Sequence, residues 1–532
     1  MWYKNALIYS LDVETFFDAN GDGVGDFTGV LKHVDYLETL GATCIWLQPF
    51  QPTPNRDDGY DIVDYYAIDP RLGSFGDFAE LMQSLDERGI RLIFDLVVNH
   101  TSDQHPWFRS ACADARSPYR DYYVWSENRP ATADQGMVFP GQQASTWTWN
   151  DEAQAYYFHR FYSHQPDLNI ANPRVREEIL RIIGFWLRLG VAGFRIDAAP
   201  FLIELTGAET PQAGAMYAFL EEMRAFVSWH RGDAILLAEA NVEKDQLASY
   251  FGEGSRLHML FNFLANQALF LALAREDAGP LRDALRQLPD PAPHGQWAQF
   301  LRGHDELDLG RLTPDQREAV FHAFAPDEEM RIFGRGIRRR LAPMMDNDRR
   351  RIEMAHSLML SLPGCQVIRY GDEIGMGEDL ALVGREAVRT PMQWSNDRNA
   401  GFSPAAEDRL IRPIIGSGAF DYRDVNVRDQ VRDPDSLLNN VQRLIHIRRS
   451  APEIGFGTLS LIETDHPCVM AVRYRWQDRS VVVVHNLAGR TCHVRLAVGD
   501  RRALHDIASD HAYPPAGERT EIGPYGYRWF RL

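Results

Sequence analysis

Eight short apolar runs, parted by stretches of helical periodicity or by long connections, limit the folds open to this 532-residue chain more than any other feature. They are "NALIYSLDV", "ATCIWLQPF", "RLIFDLVVNH", "GFRIDA", "AILLAEA", "LHMLFNF", "QFLRGHDE" and "CQVIRYGDE". Between several of them lie segments such as "FGDFAELMQSLDERG" and "RVREEILRIIGFWLRLG", whose apolar residues recur at helical spacing and which end in glycine. Near-continuous apolar runs of strand length suit parallel strands covered on both faces. The alternation predicts an α/β fold built on a (β/α)8 TIM barrel. The competing open, doubly wound sheet usually carries a Gly-rich phosphate loop after a strand, and no run here is followed by one.

Several runs finish in polar residues: Asn99 and His100, Asp197, Glu239, and His304 with Asp305. In such barrels chemistry collects at the C-terminal ends of the strands, so these residues are the first candidates. Two interruptions break the alternation. Residues 101–166 are dense in aromatics ("YRDYYVW", "STWTWNDEAQAYYFHRFY") and too long for a plain loop. They are expected to form an inserted subdomain beside the site, where rings could stack on sugars or simply pack. Residues 307–364 carry "GIRRRLAPMMDNDRRR", a run that is either solvated and paired to acids or part of a lid. After about residue 455 short alternating strands such as "RSVVVVHNLAG" suggest a C-terminal antiparallel β-sandwich. The expected division is a catalytic barrel over 1–100 and 167–454, the insertion over 101–166, a lid-like extension over 307–364, and the sandwich over 455–532.

The formal charge of −18 would repel phosphate backbones and anionic lipids, which argues against nucleic-acid or membrane partners and for a small neutral substrate. The N-terminal residues lack the basic region and long apolar run of a signal peptide, and no apolar stretch is long enough to span a bilayer, so a cytoplasmic location is expected. Five scattered cysteines without zinc-site spacing read as buried thiols. Nothing in the sequence fixes the oligomeric state, and a homo-oligomer stays open. The stretch "DANGDGVGD" sets Asp18, Asn20, Asp22 and Asp26 at alternate positions. It is not an EF-hand, since Gly29 stands where the closing glutamate belongs and a strand precedes it. Those four side chains with the Val24 carbonyl still form an oxygen set suited to a hard cation such as calcium, in a structural role; the plainer reading is a turn.

In "GFRIDAAPF", Arg195 and Asp197 are two apart on a strand and share a face. A neighbouring guanidinium would keep Asp197 ionised, as a nucleophile must be, although the two could equally form a plain inward salt bridge. Glu239 ends a strongly apolar run, an environment that keeps a carboxyl protonated for general-acid work. Asp305 supplies a third acid beside His304. With no ligand cluster for a catalytic metal, the set fits glycosidic chemistry of the retaining kind, with one ionised and one protonated carboxyl.

At these residues the chain resembles the α-amylase superfamily (glycoside hydrolase family 13), whose ordered motifs match "DLVVNH" (95–100), "QPDLN" (165–169), "GFRIDA" (193–198), "AEAN" (238–241) and "RGHDE" (302–306) over nearly the whole length. The resemblance implies Asp197 as nucleophile, Glu239 as acid/base and Asp305 as the acid holding sugar hydroxyls. It further implies His100, His304 and Arg195 lining the glucosyl site, with Asp61 and Tyr60 gripping its far side. It supports calcium at Asp18, Asn20, Asp22, Val24 and Asp26, and a second metal at Asn99, Asp167 and Glu204, where hydrogen bonding within the subdomain is the alternative. No organic cofactor is implied. Within the superfamily "FFDANGDGVGDF", "HRFYSHQPDLN" and "RTPMQWS" are similar to the trehalose synthase family, which interconverts maltose and trehalose, with glucose as the side product of hydrolysis. Two departures, "ANVEKDQL" after Glu239 and Asn262 where a histidine is expected, put acceptor choice in question and keep an α-glucosidase or transglucosidase on short α-glucosides as the alternative. A non-catalytic barrel used for interaction would be signalled by loss of an acid, and all three are present.

Overall fold

The computed structural model describes residues 1–203, 217–497 and 504–532. Eight parallel strands close into a barrel in sequence order: β1 (Leu7–Leu11), β2 (Cys44–Leu47), β3 (Arg91–Leu96), β4 (Gly193–Ile196), β5 (Ile235–Ala238), β6 (Met259–Phe261), β7 (Gln296–Phe300) and β8 (Cys365–Arg369). β8 pairs with β1 from Leu7↔Gln366 to Ser10↔Arg369, which closes the ring. Each expected run holds one strand. The seventh lies earlier than its run suggested, so "RGHDE" belongs to the loop beyond the strand end rather than to the strand.

Alternation along the strands divides the core. Ile8, Trp46, Ile93, Leu237 and Val367 fill the barrel lumen, while Leu7, Tyr9, Leu92 and Phe94 face the helices outside, as the two-residue period requires. The helix Pro173–Arg188 shows how the outer layer forms. Asn172 caps it by accepting from the Arg174 amide at 3.0 Å, and Pro173 fills the first turn. Val175, Ile179, Ile182, Ile183 and Trp186 make its buried stripe, and Trp186 Nε1 donates to the Tyr65 carbonyl at 2.9 Å. Gly193 is needed where β4 meets β5: at φ 145° a Cβ there would lie 2.2 Å from the Ile235 carbonyl oxygen.

The 101–166 insertion carries a three-stranded antiparallel sheet, with Ala155–Phe158 between Trp125–Ser126 and Trp147–Asn150. In 307–364 two different parts follow one another. A small sheet (Leu307–Asp308, Gly336–Ile337, Arg331–Ile332) and the helix Pro314–Phe324 come first. The helix Arg349–Leu360 then lies in the barrel's outer layer, with Ile352, Met354 and Leu358 buried. The first arginine triplet is anchored: Arg338 donates to the Leu380 carbonyl at 2.8 Å, Arg339 pairs with Glu378 at 2.8 Å and Arg340 with Asp372 at 3.2 Å. A five-stranded antiparallel sheet and a two-stranded partner (Cys492–Val494 with Thr520–Ile522) form the C-terminal unit. All five cysteines are buried and free. No helix among the described residues is long and apolar enough to cross a membrane.

Candidate active site

A cavity of about 480 Å³ opens at the C-terminal mouth of the barrel, a size common for small-molecule sites. Strand register builds its floor. Asp95 on β3 and Arg195 on β4 are register partners, and Arg195 Nη1 donates to Asp95 Oδ1 at 2.5 Å. The same nitrogen donates to Asp197 Oδ1 at 2.5 Å, and Nη2 donates to Glu239 Oε2 at 2.6 Å. Trp46 Nε1 donates to the other Asp95 oxygen at 2.7 Å. One buried guanidinium therefore holds three carboxyls that would otherwise repel one another.

Just past Asp197 the chain turns sharply, with Ala198 at φ 47°, a left-handed conformation uncommon for a residue with a Cβ. Backbone bonds lace the strand tips across this turn: the Asp197 amide donates to Leu96, Glu239 to Ile196, and Ala199 to Glu239, at 3.1–3.3 Å. Asp197 and Glu239 thus sit side by side on one guanidinium.

Their environments differ. Burial pushes the Glu239 carboxyl up to about 7, with Asp197 and Asp305 adding to the rise and Arg195 opposing it. Asp305 goes the other way: burial would raise it, but His304, Arg385 and Arg389 together hold it well below the usual carboxylate range. Asp95 rises to about 7 through burial, against the pull of Arg195. The His304 ring is lowered to about 4 by burial and is neutral at neutral pH. His304 Nε2 lies 2.7 Å from the Tyr60 hydroxyl and 3.1 Å from Asp305 Oδ2, and the Tyr60 and His304 rings lie parallel to within 8°. His100 Nε2 donates to the Tyr60 carbonyl at 2.9 Å.

The far side of the cavity is made differently from expectation. Asp61 is fully buried but turns inward to its own loop, accepting from Thr53 Oγ1 at 2.8 Å and from the Arg56 and Asp57 amides at 3.3 Å. Asp57 lines the cavity in its place, beside Tyr60. Arg385 bridges the gap, donating to Asp305 Oδ1 at 2.6 Å and to Asp57 Oδ1 at 2.9 Å. Arg389 adds a bond to Asp305 Oδ1 at 2.9 Å and an ion pair to Asp58 at 2.7 Å. These arginines come from the loop after β8; Arg389 opens the "RTPMQWS" motif, which gave it no role in the site, and Arg385 lies outside every motif. Asn262 also faces away from the cavity. Its Oδ1 caps the helix Phe263–Arg275 by accepting from Ala265 at 3.0 Å, and its neighbours Phe261 and Phe263 do the lining.

Two elements meet at the edge of the cavity, where Val138, Phe139, Phe161 and Arg335 line it. Phe139 of the insertion meets Phe333 of the 307–340 segment at 4.9 Å between ring centres, in a cluster with Phe161 and Ile332. Arg335 donates to the Val138 carbonyl at 3.0 Å and to Asp308 at 3.1 Å, and the Arg385 guanidinium lies 4.9 Å from the centre of the Phe139 ring.

The glycine-rich loop draws its acids inward. Asp18 accepts from the Gly21 and Gly23 amides at 2.6 and 2.8 Å, and Asp26 from Gly29, Ala19 and Asn20. Asn20 and Asp22 accept from Asp22 and Val24. Asp18 and Asp26 are buried, and burial, then the nearby Asp18 charge, raises the Asp26 pKa. These are oxygen donors of the type a hard cation takes. The three acids whose oxygens all fall within 4.8 Å of one another among the described residues are instead Asp12, Glu14 and Asp58. Arg412 pairs with Glu14 at 3.3 Å and also with Asp58, which accounts for that cluster without an ion. Asn99 and Asp167 meet through a side-chain hydrogen bond, Asp167 also accepts from the Arg160 amide at 2.8 Å, and Glu204 lies outside the described residues.

The alpha-amylase catalytic-domain family matches residues 10–323 and 335–457. The chain belongs to the α-amylase family. It is an enzyme of glycoside hydrolase family 13, of the glucosyl-transferring kind. It is 39% identical to the trehalose synthase of Pimelobacter sp. (strain R48), covering 100% of this chain and 96% of that one. It is 43% identical to the trehalose synthase/amylase TreS of Mycobacterium tuberculosis (strain ATCC 25618 / H37Rv), covering 100% and 90%. Among solved structures, an inactive double mutant of MutB in complex with isomaltulose aligns at a TM-score of 0.80 and 26% identity, over 100% of this chain and 99% of that one.

Proposed function

We propose that this α-amylase family member interconverts maltose and trehalose by moving a glucosyl group within one enclosed site. The aromatic seam at the cavity's edge carries the reading: Phe139 lines the cavity that holds Asp197 and Glu239, and it meets Phe333 of the 307–340 segment. An isomerase must keep the released glucose in place while it turns, and a covered cavity serves that better than an open cleft. The full-length likeness to two enzymes named for trehalose synthesis points the same way.

In this reading Glu239 protonates the glycosidic oxygen of maltose while Asp197 attacks the anomeric carbon, giving a β-glucosyl enzyme and free glucose. The glucose reorients. Its anomeric hydroxyl gives its proton to Glu239 and attacks from the opposite face, forming the α,α-1,1 bond and freeing Asp197. Asp305, held ionised, accepts from sugar hydroxyls, with Asp57 and Arg385 closing the far side. Water reaching the intermediate gives glucose as a side product. The Asp18–Asp26 loop, with Asn20, Asp22 and the Val24 carbonyl, would hold a structural calcium remote from these steps.

Proton NMR of anomeric signals during separate incubations with maltose and trehalose tests this. Each disaccharide should become the other with little free glucose. Glucose or longer oligosaccharides dominating from the first minutes would instead identify a glucosidase or transglucosidase.

A further inference from the structure

The 307–340 segment also touches the loop that follows β5, and one arginine makes the contact. Arg311 Nη2 donates to the Asn241 carbonyl at 2.6 Å, and Nη1 donates to Glu243 Oε1 at 2.6 Å. Both partners lie in "ANVEKDQL", where the sequence departs from the pattern expected after Glu239. An ion pair at a partly exposed rim is worth little by itself, and the Arg311 and Glu243 side chains are 37% and 66% exposed. What fixes the contact lies inside the protein.

Gln267 is buried in the helix Phe263–Arg275, whose other buried residues include Ala268, Leu269 and Phe270. A buried amide is costly unless both of its ends are bonded. Here Oε1 accepts from the Arg311 amide at 3.0 Å and Nε2 donates to Asn241 Oδ1 at 3.5 Å, so one side chain joins the same two loops. Gly310 shapes the approach: its amide donates to Asp308 Oδ1 at 2.6 Å, and a Cβ there would fall 2.8 Å from that oxygen.

Both loops line the cavity, through Asn241, Val242 and Gln246 after β5 and through Asp308, Gly310 and Arg311 from the segment. In the reading given above, on which this inference rests, Glu239 protonates the glycosidic oxygen. The leaving glucose therefore lies on the side of the general acid, against the loop that Glu239 begins. We propose that Arg311, seated on Gln267, is a positioning residue for the leaving and returning glucose, locking the loop after β5 to the 307–340 segment so that the wall facing that sugar is a single piece. Without the lock the released glucose escapes or exchanges, while the glucosyl side keeps His304, Asp305 and Arg385.

The test uses the full chain with two donors: maltose, which fills the leaving-group side, and α-glucosyl fluoride, which leaves it empty. Arg311→Ala is expected to lower kcat/KM on maltose severalfold relative to the fluoride. With uniformly ¹³C-labelled glucose added to unlabelled maltose, it should also raise severalfold the share of reacted maltose that ends as free glucose or as labelled disaccharide. Gln267→Leu should act in the same direction. Arg311→Lys, which keeps the charge but not the two-pronged fork, should fall between Arg311→Ala and the unaltered chain. Equal losses on maltose and the fluoride would mark general loosening and overturn the proposal. So would a donor ratio unchanged in both Arg311→Ala and Gln267→Leu. The isomerase reading fails separately, by the unaltered chain making no trehalose from maltose, and the donor ratio still tests the lock in that case because a hydrolase also binds the leaving glucose.

Discussion

At the scale of single residues, the site works by giving neighbouring carboxyls different proton affinities. Glu239, raised to about 7 by burial, must be protonated to start the reaction, so its acid form is lost as pH rises through that value. We expect kcat/KM on maltose to fall on the alkaline side with an apparent pKa near 7, a property of the coupled pair rather than of one group. A profile flat to pH 9 would remove Glu239 from that role. Replacing it by Gln should cost about 10²–10⁴-fold on maltose but much less on an aryl α-glucoside, whose leaving group needs no proton. Asp197→Asn should lose at least about 10⁴-fold on both substrates, since no leaving group can replace the nucleophile. The two variants therefore separate by substrate, which activity loss alone would not do. Arg385→Ala breaks the bridge from Asp305 to Asp57 and is expected to lower kcat/KM by about 10–100-fold, equivalent to about 1.4–2.7 kcal/mol. An unchanged value would show that Asp57 and Asp305 bind sugar without it.

At the scale of elements, the insertion and the 307–340 segment matter because both supply walls of the cavity and they touch each other at its edge. Their meeting point is the cluster of Phe139 and Phe161 with Ile332 and Phe333, together with Arg335 reaching the Val138 carbonyl. Phe333→Ala is expected to open that seam while leaving the acids in place, raising the ratio of free glucose to isomerised disaccharide severalfold with little effect on total turnover of maltose. A ratio equal to that of the unaltered chain, read from the same NMR time course, would show that enclosure is set elsewhere. The basic run in this segment illustrates how paired charge can serve a cover. Arg338, Arg339 and Arg340 fix its base to residues 372–382, and Phe333 at its tip meets Phe139 of the insertion.

Across the whole molecule, what could be read from the sequence follows from range. The eight strands were legible because parallel strands covered on both faces must be apolar throughout, and their polar ends marked Asp197, Glu239 and Asp305 as candidates. Asp61 was misplaced because "DDGYD" offers three acids within five residues, and only the turn closed by Thr53 and Gly59 decides that Asp57 faces the cavity. Arg385 and Arg389 reach Asp305 from about 80 residues away, a pairing no local pattern encodes. The glycine-rich loop shares this long-range character, which gives the calcium proposal a measurable consequence. The Asp18 amide donates to the Phe402 carbonyl at 2.9 Å, Ser403 Oγ to Asp18 at 2.5 Å, and the Ile411 amide to the Gly23 carbonyl at 3.0 Å. An ion on this loop would therefore staple the region after β1 to a segment nearly 400 residues later, stabilising the native state as a whole. At a hundredfold excess over its Kd the linkage is about 2.7 kcal/mol. EDTA should lower the melting temperature by a few degrees, calcium should restore it, and Asp18→Ala should abolish the difference; identical melting in EDTA and calcium would leave the loop as a turn held by its own amides.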